Sequence, residues 1–442
     1  MKQIPFLLVL LILTSCSKSE NSEALPIPIS EESQKEDTND DETPTPTGTL
    51  LFTIKIPANS IRKDIDKLHF VLYDANNEVL AHRTHSSGQA ESLGFYGEFE
   101  LQDDTKYSLS HINNFQESVF NIRLYMDLTG EQLKNGIEFQ DNATDRRTNL
   151  LDIPITSIEE GHSFWAQGSG YSLNGYSGNF SGHFSSDYAN SLGTEQVFIQ
   201  YFAEDGISDY KYLFIPLQTL NEMDGLDVSI FEDDATRYRY VNFYKPFSRT
   251  LIRIIGFDDE PRFNANVGHT VHASNYLSDY GGARYSYADF FHAYLSSVQL
   301  DNYEVQQVGL PPEDLEVPEL DVDYEYNEGL ISFRGIPDYE SSRFLLRSSG
   351  AIHVTTVIVA DGNRTEIIIP EVPEDLFDPL VMEGLKVSLL SIQQGAAENY
   401  AGYETYADYI SNTLLFDKPY YLSAPKRERV FKSSVGPQLL PF

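Results

Sequence analysis

Cysteine and tryptophan are nearly missing from this chain of 442 residues, which holds one of each. A single Cys excludes an intrachain disulfide, so the fold must rest on its own core. Basic residues are scarce as well, 31 Lys and Arg against 67 Asp and Glu, which gives a formal charge of −36. A chain this acidic is repelled by phosphate backbones and anionic headgroups, which excludes nucleic acid as a partner. Local signatures of common catalysts are absent too: there is no Gly-x-Ser-x-Gly, no phosphate-binding Gly-x-x-x-x-Gly-Lys-Ser/Thr and no His-Glu-x-x-His. The expectation is a protein that is not an enzyme and needs no cofactor. What the chain does have is 28 Tyr and 27 Phe, with 41% hydrophobic and 22% charged residues. That balance suits water-soluble globular material and favours strands over helices.

The amino terminus is organised differently from the rest. Lys2 precedes an apolar run from Ile4 to Leu13, followed by Thr14-Ser15-Cys16. The run is half the ~20 residues a membrane-spanning helix needs, so residues 1–15 read as a secretory signal. Leu13-Thr14-Ser15-Cys16 resembles the lipobox of bacterial lipoproteins, which implies that the Cys16 thiol takes diacylglycerol and becomes the first mature residue. An anchor of two or more acyl chains holds stably where one does not. Residues 16–48 then carry nine acids, two lysines and many Pro, Ser and Thr. Such a stretch cannot bury a core and reads as an extended tether. Its start, Ser17-Lys18-Ser19-Glu20, resembles the short export signals that send lipoproteins of Bacteroidota to the outer face of the outer membrane.

From Thr49 onward, short apolar-alternating runs separated by Gly, Asp and Asn turns predict an all-β protein. Leu50 to Ile56 and Leu68 to Tyr73 read as strands, the second followed by an Asp74-Ala75-Asn76-Asn77 turn. Val354 to Val359 and Thr365 to Ile369 flank Asp361-Gly362, which predicts a hairpin. The Pro- and acid-rich segment from Leu310 to Glu319, and a softer break near Ile153-Pro154 and Glu160-Gly161, divide the body into three tandem β-sandwich domains. These are residues 49–155, 156–310 and 311–432, with a tail at 433–442. Tyr280 to Phe290 and Tyr400 to Tyr409 echo one another and suggest shared ancestry of the second and third domains. Phe99 to Leu109, and Met382 to Leu389, resemble the strand-E to strand-F corner of fibronectin-type and immunoglobulin-like sandwiches, where a Tyr closes the turn.

Candidate binding residues cluster around the only Trp. Trp165 precedes a Gly- and aromatic-rich segment containing Tyr171, Tyr176 and Phe180. Rings beside glycines can offer flat faces to a sugar, and the plainer reading is an edge strand with its aromatics packed inward. His82/His85 and His269/His272 lie three apart in strand-like sequence, where such positions face opposite ways, so they read as surface histidines rather than metal ligands. The acidic runs at Glu232 to Asp234, Asp258 to Glu260, Asp321 to Asp323 and Glu374-Asp375 lack the spacing of a calcium loop. The basic patch from Lys426 to Lys432 reads as a final strand with solvated neighbours that pairs with nearby carboxylates.

The whole resembles the multi-domain β-sandwich lipoproteins of the Bacteroidota surface. That resemblance implies a non-enzymatic contact module anchored in the outer membrane, with a polysaccharide or a surface protein as partner. The phrase Ile65 to Asp74 is similar to lipoprotein fimbrillins and implies, alternatively, a structural or adhesive subunit. A carboxylate-dependent glycosidase is the remaining possibility and needs two acids meeting in a cleft.

Overall fold

The computed structural model describes residues 48–58, 65–115, 118–138, 148–168, 171–175, 179–185, 196–258, 268–276, 281–348, 350–413 and 425–434. The signal segment, Cys16 and nearly all of the tether lie outside them. The first strands are β1 (Thr49–Ile56), β2 (Ile65–Tyr73), β3 (Val79–His85), β4 (Glu91–Gly97), β5 (Lys106–Phe115), β6 (Val119–Thr129), β7 (Ile137–Glu138) and β8 (Thr148–Ser157). There follow β9 (His162–Gly168), β10 (Tyr171–Gly175), β11 (Asn179–Ser185), β12 (Gln196–Ala203), β13 (Lys211–Pro216), β14 (Leu226–Asp227), β15 (Thr236–Asn242), β16 (Thr250–Phe257), β17 (His269–Tyr276), β18 (Gly282–Ala288), β19 (Ala293–Leu300) and β20 (Tyr303–Val308). The last are β21 (Asp323–Asn327), β22 (Leu330–Arg334), β23 (Ser341–Ser348), β24 (His353–Asp361), β25 (Glu366–Ile368), β26 (Leu390–Tyr400) and β27 (Lys426–Ser433). The fold is all-β, as the alternating patterns predict, and among the described residues no helix is long and apolar enough to cross a membrane.

One hydrogen-bonded run joins twelve of these strands, in the order β3-β2-β5-β6-β24-β23-β26-β27-β20-β19-β16-β17. Every ladder in it is antiparallel except β6–β24. That ladder and β20–β27 link the three segments read from the Pro-rich stretches, and Thr47–Phe442 clusters as one compact unit. The core follows the same continuity. Val71 and Phe120, Ile252 and Val298, and Phe344 and Val430 all belong to one buried cluster. A second cluster unites β1, β2 and β5 with Tyr400, Tyr406, Tyr409 and Ile410, and the Tyr406 hydroxyl donates to the Met126 carbonyl at 2.8 Å.

Several local expectations meet their physical outcome here. Tyr107 does close the corner after Phe99: its hydroxyl accepts from the Gln102 amide at 3.1 Å. The stretch from Met382 to Leu389 is no such corner. It holds the end of a helix, Pro379–Leu385, capped by the Asp378 carboxylate on the Leu380 and Val381 amides, with Pro at its first turn. The hairpin at Asp361-Gly362 does not form either. Both edges of β24 are taken, by β23 and by β6, so the turn instead carries the chain to β25, which pairs with β22. The echoed tyrosine phrases adopt different structures: Gly282–Ala288 is strand β18, whereas Tyr406–Thr413 is helical.

Candidate contact surface

The sequence around Trp165 folds as a meander of β9, β10 and β11. Alternation turns Tyr171, Leu173 and Phe180 into the core with Phe164 and Ile199, while Trp165 is half-buried and Tyr176 lies outside the described residues. Gly182 lets β10 and β11 meet, because a Cβ there would collide with the Ser172 carbonyl. Of the four aromatics, the structure therefore gathers Tyr171 and Phe180 into packing rather than onto a stacking face. The Tyr171 hydroxyl accepts from the Phe198 amide at 3.2 Å and shares a hydrogen bond with His269 Nδ1 at 2.6 Å. Burial first of all, with the Asp258 charge adding to it, raises the Tyr171 hydroxyl well above the usual phenol range. His269 Nε2 in turn faces the Asp258 carboxylate at 3.4 Å. This chain of polar groups ties β10 to β17 across the core. Tyr171→Phe leaves a buried amide and a buried ring nitrogen without their shared partner. The expected loss is about 1–3 kcal/mol, seen as a lower urea midpoint at unchanged slope.

His69, His85, His269 and His272 are buried, not surface groups; of the two His-x-x-His pairs only His82 keeps substantial exposure. Both faces of β17 are covered from His269 to His272. In β17 a bulge opposite Ile254 and Ile255 also breaks strict alternation between His269 and His272. Each buried ring finds a polar neighbour: Thr84 Oγ1 at 2.9 Å for His69, Glu91 at 2.5 Å for His85 and Ser274 Oγ at 2.7 Å for His272.

In the basic patch on β27 the two arginines are buried rather than solvated, while Lys426 and Lys432 keep exposure and pair with Glu428 and Asp323. Arg427 and Arg429 are 8% and 3% exposed, inside a seam where β27 lies between β20 and β26. Arg429 Nη1 stands 3.5 Å from Glu304 and 3.9 Å from Glu398, and Arg343 Nε donates to Glu398 at 3.2 Å. The Tyr400 hydroxyl donates to the same carboxylate at 2.7 Å. Burial works to raise the Glu398 carboxyl, but the Arg343, Arg427 and Arg429 guanidiniums together outweigh it and hold it at about 2. Glu304 is lowered likewise, burial opposing and Arg429 and Arg427 prevailing. These two acids are brought together by the fold, yet they are closed from water and neutralised. Glu398 keeps no proton at neutral pH and both carboxylates are buried, so this pair is unsuited to general acid catalysis.

The surface feature that stands out lies elsewhere, on the two-stranded ribbon of β15 and β18. Arg237, Tyr238, Arg239 and Tyr240 are four successive exposed residues within a strand. Tyr238 and Tyr240 share one face, 48% and 47% exposed, spaced by the ~7 Å of alternate strand residues. Tyr240 lies across Gly282, where any Cβ would strike its ring, so the glycine makes room for the tyrosine. Tyr244, 64% exposed, sits just beyond the strand with φ +58°, a left-handed conformation unusual for a bulky residue. Asn242 Oδ1 accepts from its amide at 3.2 Å and its hydroxyl donates to Asp314. On the opposite face Arg237 lies 3.7 Å from Asp289 and Arg239 lies 3.5 Å from Glu313, all of them exposed. The composition gave no sign of this face. Its signal was the unbroken run Arg237-Tyr238-Arg239-Tyr240, which has no apolar alternation on either side.

No family model matches the chain, and no curated protein matches it. Among solved structures, the tip fimbrial protein Mfa3 from Porphyromonas gingivalis, with a C-terminal truncation, is similar at 13% identity over 52% of this chain and 99% of that one, with a TM-score of 0.17.

Proposed function

We propose that this chain is a non-enzymatic contact protein of the bacterial cell surface, held in the outer membrane by acylation of Cys16, and that the β15–β18 ribbon is its binding element. The observation that carries the reading is the run of four exposed aromatic and cationic residues on a strand that, among the described residues, has one strand partner. Aromatic faces and guanidiniums are the side chains most enriched where proteins bind other molecules. A sugar-binding role rests on Tyr238, Tyr240 and Tyr244 rather than on Tyr171 or Phe180, whose rings are buried. A structural or adhesive role rests on the strand edge itself, which can pair with another chain.

The test uses the full chain and a Tyr238→Ala/Tyr240→Ala variant, run through gels holding neutral and acidic polysaccharides and over immobilised extended peptides. Wild-type retention by either class, reduced about tenfold in the variant at unchanged thermal midpoint, supports the ribbon as the contact element. Equal behaviour of both proteins on every support removes it. Incorporation of labelled palmitate in cells, lost in Cys16→Ala, checks the anchor.

A further inference from the structure

We propose that the outer edge of β15 receives an extended acidic polypeptide as an added strand, its residues alternating apolar and acidic. This rests on the ribbon being the contact element and names the partner it fits. The parity of the ladder shows which main-chain groups are open. The Asp289 amide bonds to the Ala235 carbonyl and the Phe243 amide to the Gly281 carbonyl, so the odd-numbered residues of this strand bond toward β18. The even-numbered residues face the other way, as Asn242 shows: its amide donates to Glu313 at 2.8 Å and its carbonyl accepts from Leu315 at 2.8 Å. That short parallel contact goes no further. Among the described residues no main-chain partner reaches the outward groups of Tyr238 and Tyr240. The open amides and carbonyls thus belong to the same two residues whose rings are exposed.

The pleat then states what an added strand must carry. Residues of the newcomer on one face meet Tyr238 and Tyr240, where apolar or aromatic side chains gain from cross-strand contact. Residues on the other face meet Arg237 and Arg239, on a strand that has no acid of its own. The acids now nearest, Asp289 and Glu313, lie on neighbouring segments at 3.7 and 3.5 Å in exposed positions, where an ion pair contributes little. Acidic side chains standing directly across from both arginines would complement them. A second copy of this chain is a poorer occupant of the same edge. Antiparallel self-pairing centred on this strand sets Arg239 against Arg239 or Arg237 of the other copy, and like charges directly opposite are destabilising. Strand addition draws its affinity from main-chain bonds and its specificity from alternate side chains, and this edge supplies both requirements.

The experiment measures fluorescence anisotropy of labelled octapeptides on the full chain. One alternates valine and glutamate, one alternates valine and lysine, and one repeats the first with every second amide N-methylated. The valine–glutamate peptide is expected to bind about tenfold tighter than the valine–lysine peptide, as two opposite-charge pairs replace two repulsive ones. N-methylation is expected to abolish binding without any change to the protein. Arg237→Glu/Arg239→Glu is expected to reverse the preference. Equal binding of the glutamate and lysine peptides, or indifference to N-methylation, overturns the proposal. A concentration-dependent dimer in sedimentation that Tyr240→Pro abolishes assigns the edge to a second copy and overturns it too. If no octapeptide binds while polysaccharides still retard the wild type through Tyr238 and Tyr240, this inference fails and the ribbon reading survives. If nothing binds, both fail.

Discussion

Stopping the chain before Lys426, so that β27 is never made, is expected to leave a protein with no cooperative unfolding transition. β27 is an inner strand, bonded to β20 from Tyr303 to Gln307 and to β26 from Gln394 to Tyr400. Its loss opens two sheet edges and removes Val430 and Phe431, each 2% exposed, from the interior. Burial of two such side chains contributes about 1.5–3 kcal/mol each. It also removes Arg427 and Arg429, the two guanidiniums that face Glu304, at about 3–5 kcal/mol for that buried acid, while Glu398 keeps Arg343. Together these losses are on the order of 10 kcal/mol, as large as the total stability of a typical domain, about 5–15 kcal/mol. The check is urea unfolding followed by tyrosine fluorescence and far-ultraviolet circular dichroism. A truncated chain that still unfolds in one sharp step, with a midpoint near that of the intact protein, would show that β27 is an accessory strand.

Glu398→Ala is the second change with a large expected effect, about 3–5 kcal/mol at pH 7. It takes one carboxylate from among Arg343, Arg429 and the Tyr400 hydroxyl while leaving the guanidiniums buried. Glu313→Ala, which removes an exposed acid 3.5 Å from Arg239, is the control and is expected to cost less than about 1 kcal/mol. The same cluster predicts a pH dependence whose sign follows from the lowered carboxyl. Glu398 titrates at about 2 in the fold against about 4.3 in an unfolded chain. Its contribution is therefore complete above about pH 4.3 and disappears as the pH falls toward 2, on the order of 3 kcal/mol. The buried histidines act in a higher window. Burial first, with Lys67 and His82 adding, lowers His69 to about 4, and burial lowers His272 to about 3. Each stays neutral in the fold, so stability begins to fall below the unfolded value of about 6.5 and keeps falling toward those lower values. Glu398→Gln should make the fall of the urea midpoint shallower between about pH 4.3 and 2, where His272 still contributes down to about 3, and leave the decline between about 6.5 and 4.3 intact. An unchanged lower limb would mean that Glu398 does not hold this seam.

The legible part of the fold was its local chemistry. Leu68 to Tyr73 reads as a strand and lies in β2, and Asp74 to Asn77 turns the chain, with Asn77 at φ +66°. Tyr107 closes its corner because the hydroxyl and the Gln102 amide are only a few residues apart. Asp378-Pro379 held a helix start that the strand-like surroundings concealed, since an acid before a proline is also a turn signal. The hairpin at Asp361-Gly362 was misread because a period of two states that strands exist, not which edge each will meet. The arginines of β27 were placed in solvent for a related reason. Their carboxylate partners lie on β20 and β26, with Glu304 more than a hundred residues upstream, and no local pattern marks such a pairing. Tyr171 and Phe180 were legible as inward-packing aromatics, whereas the exposure of Tyr238 and Tyr240 depends on what failed to cover them.

Composition and alternation by themselves determined an acidic, disulfide-free chain built from strands, because charge balance, cysteine count and side-chain period are properties of the chain at short range. Tertiary structure decided which strands are neighbours, which charges are buried and which edge stays open. Those outcomes depend on surfaces assembled from residues up to three hundred positions apart, as in the Tyr406 hydroxyl meeting the Met126 carbonyl. An edge stays open only where no other segment of the fold reaches it, and that is a property of the whole fold.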